Sequence, residues 1–189
     1  MRQELNKAKQ MDPKKNVAVK ALAKQRSHKV KVDADRLFFR RRSLSIYDLK
    51  YLLAKGYKEA RLLGINGKRE GYLIKPRQNE SKEHFFLIFN IAEYLKSKFK
   101  NVELYQTLKP DIIFERKGKS YAVEVETGSL YLKARDRLTE KVKQLRENFG
   151  ERYCFVVTNE DFALIYNRLG KTFTRTTFLK QFQKWLKKH

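Results

Sequence analysis

The pattern of apolar and polar positions centres on residues 111–126. Two apolar runs, Asp111–Phe114 and Tyr121–Val125, flank a charged turn containing Gly118, the composition of a tight β-hairpin. Alternation along the second run puts Tyr121, Val123 and Val125 on one face and Ala122, Glu124 and Glu126 on the other. Upstream, Phe85, Ile88, Phe89, Ala92, Leu95 and Phe99 recur at helical spacing and predict a helix over Phe85–Phe99. A short strand is expected over Asn101–Tyr105, and Pro110 favours an extended approach to Asp111. Downstream, Leu138, Val142, Leu145 and Phe149 mark the buried stripe of a helix over Leu132–Phe149. Tyr153–Val157 (YCFVV) reads as a buried parallel strand, Phe162–Leu169 as a helix stopped by Gly170, and Lys171–Arg175 as a short strand. Thr177–Leu186 closes the chain as an amphipathic helix with Phe178, Phe182 and Trp185 on one side. Helices and strands in this order call for an α/β fold, a mixed sheet flanked by helices.

Before residue 81 the pattern is less regular. Ser45 is a natural cap for a helix over Ile46–Ala54, with Asp48 at the third helical position and Gly56 as terminator. A second short helix over Lys58–Leu63, the turn Asn66-Gly67-Lys68-Arg69 and a strand or wing at Tyr72–Ile74 then suggest a small helix-turn-helix-like module at 44–76. Residues 1–43 are expected to form a basic arm, disordered or ordered by nucleic acid, since Val17, Val19, Ala21, Leu22 and Ala23 make no regular stripe. The polar stretch Pro76–Ser81 is the expected boundary, with a second domain over 81–189.

Charge sharpens the picture. The 189 residues carry 44 Lys and Arg against 21 Asp and Glu, a formal charge of +23. A charge that large opposes compaction unless anions screen it, which points to a polyanionic partner. Residues 1–75 hold 21 of the basic and 7 of the acidic side chains, so the first part is the more cationic. No apolar run is long enough to span a bilayer, and MRQELNKAKQ lacks the apolar segment of a secretory signal, so no membrane association and a cytoplasmic location are expected. A single cysteine, Cys154, and three scattered histidines exclude an intrachain disulfide and a zinc finger.

Within this cationic chain, Glu124 and Glu126 share one face of a short strand, and Asp111 starts the adjacent strand. Acids converging from two paired strands make a plausible seat for a hard cation such as magnesium. The plainer reading places both glutamates on the outer face of a half-buried hairpin, paired with Lys117 and Lys119.

Pro110-Asp111, followed by Glu124-Val125-Glu126, resembles the motif of the PD-(D/E)xK nuclease superfamily, the restriction-endonuclease-like fold. Glu126 stands where that family usually has lysine. The separation of the two halves is similar to that of archaeal Holliday-junction resolvases. The order from residue 45, including the stretch EVETG, is similar to plasmid replication-relaxation and mobilisation proteins. The resemblance implies a metal-dependent DNA endonuclease of a plasmid, virus or other mobile element, using Mg²⁺ or Mn²⁺ held by Asp111, Glu124, the Val125 carbonyl and Glu126. It also implies an acid from the first helix, Glu83 or Glu93, at the metal. Lys133 or Lys143 would replace the missing lysine, and Gln144 in the crossover helix would stand near the chemistry. Phosphate contacts are expected from Arg40, Arg41, Arg42, Lys68, Arg69, Arg116, Lys117, Lys133, Arg135 and Arg137, and a homodimer is possible, as in relatives that cut both strands. The alternative is a catalytically inactive nuclease-fold protein that binds DNA in replication, mobilisation or regulation. An RNA-binding role has only the charge in its favour.

Overall fold

The computed structural model describes residues 32–33, 35–75, 80–105 and 109–189. The expected disordered arm lies outside these residues up to position 31, as does most of the Pro76–Ser81 boundary. The described residues form a mixed α/β structure of two sheets and six helices.

The smaller sheet has the order β1-β3-β2, built from β1 (Phe38–Arg40), β2 (Lys58–Leu63) and β3 (Arg69–Ile74), all antiparallel. Helix α1 (Ile46–Ala54) is capped as its sequence specifies: Asp48 donates its backbone N–H to the Ser45 hydroxyl and returns its carboxylate to Ser45, a complete capping box. Its residues Leu49 and Leu52 pack with Phe39, Leu44, Tyr57 and Leu73 against one side of the sheet. Two expectations are corrected here. Lys58–Leu63 is a strand, not a helix, because its six residues pair along their whole length with β3 and alternate Ala60 and Leu62 into the core. The module is therefore one helix on a three-stranded sheet, not two helices and a wing. The basic arm also ends earlier than residue 43, since Phe38 and Phe39 are buried and Phe38–Arg40 pairs with β3.

Helix α2 (Lys82–Lys96) joins the two sheets. Phe85 and Phe86 face Phe38, Leu62, Tyr72 and Ile74 of the small sheet, while Leu87, Ile88, Ile91, Ala92 and Leu95 face the larger one. Each fully buried aromatic or leucine here stabilises the junction by roughly 2 kcal/mol.

The larger sheet has the order β4-β5-β6-β7-β8: β4 (Val102–Leu104), β5 (Ile112–Arg116) and β6 (Lys119–Glu126) form an antiparallel meander, and β7 (Tyr153–Val157) and β8 (Lys171–Thr174) add in parallel. The β5–β6 hairpin turns on Lys117 and Gly118, both at positive φ, the conformation that matches the strands' right-handed twist. The crossover to β7 is two helices rather than one, α3 (Ser129–Lys133) and α4 (Arg135–Phe149), broken where Ala134 takes an extended φ of −154°. After β7 comes α5 (Ala163–Asn167), and after β8 the terminal α6 (Phe178–Lys188). Helices α2 and α6 cover one face, with Phe114, Tyr121, Val123, Val125, Phe173, Phe178 and Phe182 between them. Helix α4 and Tyr166 of α5 cover the other, over Ala122, Phe155 and Val157. Cys154 is wholly buried, and burial pushes its thiol far above the ordinary range, as befits a packing residue. Among the described residues no helix is long and apolar enough to cross a membrane.

Candidate active site

Register brings the acids together. Ile112 pairs with Val123, so Asp111 enters the sheet opposite Glu124. Their contacts interlock: the Asp111 N–H donates to Glu124 Oε2 at 3.3 Å, and the Val125 N–H donates to Asp111 Oδ2 at 2.8 Å. The proline before Asp111 has no N–H to give, so the chain's first free donor at this edge is that of Asp111 itself. On β6 the alternation falls as the sequence indicates. Val123 and Val125 enter the core under α2, and Glu124 and Glu126 turn toward α4.

Both glutamates are nearly sealed, at 2% and 3% exposure. Burial of two carboxylates without a partner would cost several kcal/mol. The partner is Lys141 of α4, whose ammonium bonds Glu124 directly and lies 3.5 Å from Glu126 Oε1. Glu126 is held a second time by the Tyr166 hydroxyl, 3.0 Å from Oε2. Burial pushes the Glu124 carboxyl up, the neighbouring charge of Asp111 adds to this, and Lys141 offsets part of it. Glu126 is raised by burial too, against the pull of Lys141 and the Tyr166 hydroxyl. Lys141 moves the same way for the opposite reason: burial disfavours its charge, but Glu124 and Glu126 more than compensate. Glu124 and Glu126 thus share the one ammonium of Lys141.

A further participant is His84, in the first turn of α2. Its Nδ1 lies 3.0 Å from Glu80 Oε1, and its Nε2 lies 2.9 Å from the Val125 carbonyl and 3.6 Å from Asp111 Oδ2. A carboxylate and a carbonyl only accept hydrogen bonds, so both ring nitrogens must donate and the ring is an imidazolium. Burial works against that charge, but Asp111 and Glu80 outweigh it and push the ring up to about 9.

Other expected residues fall elsewhere. Glu83 is not at the acids: one position before His84 it points about 100° round the helix, to an ion pair with Arg175 at 2.5 Å. Glu93 pairs with Arg36 at 3.0 Å. Lys133 and Lys143 are exposed, and the lysine that reaches the carboxylates is Lys141, one turn of α4 from Leu138 and Leu145 on its inward side. Gln144 is exposed and bonds Glu140 at 3.2 Å rather than an acid of the site, though it borders a second cavity of about 400 Å³ that Glu124 and Lys141 also line. Arg116 and Lys117 cannot rim this site. They sit at the hairpin turn, about 20 Å along β5 from Asp111, and Arg116 is spent on the Leu186 carbonyl of α6. Arg135 stacks on Tyr131 at 4.7 Å, beside exposed Lys133 and Arg137. In the small module Arg40, Arg42, Lys68 and Arg69 are exposed and Arg41 is half-buried; Arg41 and Arg42 lie 3.5 Å from Glu59 and Glu70. Lys117 and Lys119 do not pair with Glu124 or Glu126, so the outer-face reading of the hairpin fails on burial.

Sequence reasoning passed over Lys141, Tyr166 and the inward role of His84. For Lys141 the signal was present: it lies three residues from Leu138 and four from Leu145, on the apolar stripe of its helix.

Asp111, Glu124, Val125 and Glu126 border one cleft of about 910 Å³ with His84, Ser129, Leu130 and Lys141. The donor set of two carboxylates and a carbonyl, all oxygen, fits a hard divalent cation in kind. It is engaged rather than gathered: among the described residues no group of three or more His, Cys, Asp or Glu side chains is disposed to hold a metal ion, and Lys141 and His84 supply the positive charge instead. In comparisons with protein-family models, curated proteins and solved structures, no match to this chain was found.

Proposed function

We propose that the protein is a metal-dependent DNA endonuclease of the PD-(D/E)xK type whose lysine has moved from the strand to the crossover helix. The observation that carries this reading is the meeting of Asp111, Glu124 and Lys141 at one end of β5 and β6, within an open cleft of a strongly cationic chain. A helix, a three-stranded meander, a helical crossover and a parallel strand in that order support the restriction-endonuclease-like fold.

Asp111, Glu124 and the Val125 carbonyl would hold Mg²⁺ or Mn²⁺, which would polarise the scissile phosphate and lower the pKa of an attacking water. For this chain's own residues the consequences are specific. His84 must release the Val125 carbonyl, and Glu124 must exchange part of its bond to Lys141. Lys141, anchored at the same time by Glu126, stays beside the reacting phosphate as a fixed positive charge, where charge developing on phosphoryl oxygens needs it. Glu126 is therefore a positioning residue, with Tyr166 fixing its second oxygen. Lys133, Arg135, Arg137, Lys68 and Arg69 remain exposed for phosphate contact.

The test is cleavage of DNA with Mg²⁺ or Mn²⁺ by the protein and its Asp111→Asn, Glu124→Gln and Lys141→Met variants. We expect cutting by the parent and a loss of at least 100-fold in each variant, with DNA affinity in EDTA retained. A second reading, a nuclease-fold protein that binds DNA without cutting it, is favoured by the imidazolium of His84 on the Val125 carbonyl. No product with either ion, together with salt-sensitive DNA binding, would establish it.

A further inference from the structure

The cleft has a second half that hydrolysis of a phosphodiester does not require. Beyond His84 it is walled by Leu37 ahead of β1, Phe85 and Phe89 of α2, and Leu104 and Tyr105 at the end of β4. These come from both sheets and from the helix between them, and Leu104 is 37% exposed. Tyr105 is placed by its neighbours. Its N–H donates to the Asp111 carbonyl at 3.1 Å, its hydroxyl bonds Glu103, and the Lys109 ammonium lies 4.4 Å from the ring centre. A flat aromatic ring with a cation on it thus stands one backbone hydrogen bond from Asp111. Tyr57 and Tyr72 of the small module are buried and cannot serve.

We propose that this half of the cleft holds a nucleobase taken out of its helical stack and laid on Tyr105 against Leu104 and Phe89. The ligand is a nucleic-acid strand presenting a free base, not a continuous duplex. Charge complementarity selects the partner: a chain of net charge +23 attracts a polyanion, and an apolar wall beside a charged centre is useful only to a polyanion that brings an apolar face. Nucleobases have such faces, but in a continuous duplex they are buried in the stack. The proposal rests on the nuclease reading for its choice of DNA, and deepens that reading by naming the substrate class. The free base has two sources, a strand already unpaired or a base drawn out of a duplex.

The experiment measures binding in EDTA, where nothing is cut, to a labelled single strand, a perfect duplex and a duplex with one extrahelical base. The parent is compared with Tyr105→Ala and Tyr105→Trp. The expected result is that the single strand and the bulged duplex bind more tightly than the perfect duplex. Tyr105→Ala should then weaken both by about 10-fold, the order expected for one stacked base, and Tyr105→Trp should restore them. If the perfect duplex binds equally well and loses as much in Tyr105→Ala, the site still takes a free base, drawn from the duplex. If Tyr105→Ala changes none of the three affinities, the proposal is overturned. A protein that stacks a base on Tyr105 yet never cuts DNA defeats the nuclease reading alone. One that cuts DNA with binding indifferent to Tyr105 defeats this inference alone.

Discussion

Lys141 is shared by two carboxylates, and His84 bridges a carbonyl and two further acids, so the charge state of the cleft is set by a handful of protons. The ring of His84 sits at about 9 against an ordinary 6.5. A group raised on folding gives stability that is complete below the lower value and lost as pH climbs through the higher one. Glu124 and Glu126, raised by burial, work in the same sense, losing stability as the pH rises above the ordinary carboxylate range. In metal-free buffer these groups should therefore lose stability from the ordinary carboxylate range upward, with up to about 3 kcal/mol of that loss coming from His84 as the pH rises from 6.5 to 9. Urea unfolding at a series of pH values measures this. His84→Gln should flatten the slope between pH 6.5 and 9, and an unchanged slope in that variant would show that the ring is not charged in the folded protein.

At the scale of elements, the cleft depends on how β6 hands over to the crossover. Gly128 takes φ +86°, and a Cβ added there would collide with the ring edge of Phe162, which packs edge-on to Tyr131. Both the backbone and the packing resist a side chain, so Gly128→Ala should cost about 2–4 kcal/mol in chemical denaturation, the sum of a left-handed penalty and an overpacked contact. A much smaller loss would mean that α3 rides freely on the strand. The same elements show what the sequence made legible. The hairpin followed from its two apolar runs and the turn at Gly118, and the common face of Glu124 and Glu126 from alternation, whereas the register is set by the pairing itself. The capping box on α1 and the buried strand Tyr153–Val157 followed from residue type. Lys58–Leu63 was misjudged because two glycine-bounded turns of good helix formers look local, and only pairing with β3 decides the state. Lys141 was obscure for the opposite reason. A lysine on an apolar stripe is ordinarily a snorkelling surface residue, and only the acids folded beneath it from 15 to 17 residues away give it a buried role.

For the molecule as a whole, the open question is what fixes the small basic module against the cleft it walls. Arg175, in the turn after β8, is a buried charge at 5% exposure. One end of its guanidinium donates to the Leu63 carbonyl of β2 at 2.9 Å, and the other lies 2.5 Å from the Glu83 carboxylate of α2. A single side chain thus ties both sheets to the helix between them. Surface pairs such as Arg36 with Glu93 contribute little beside it, since solvent screens them. In Arg175→Met the apolar volume is kept. Glu83, half-exposed, rehydrates, but the Leu63 carbonyl loses its donor, so the expected cost is about 1–3 kcal/mol. The location of the loss is the sharper measure. Amide exchange should accelerate in β1, β2 and β3 while β5, β6 and β7 keep their protection, because the larger sheet has its own core under α4 and α6. Uniform acceleration across both sheets would show that Arg175 supports one cooperative unit. Confined acceleration would establish it as the clasp that holds the Leu37 wall of the cleft in place.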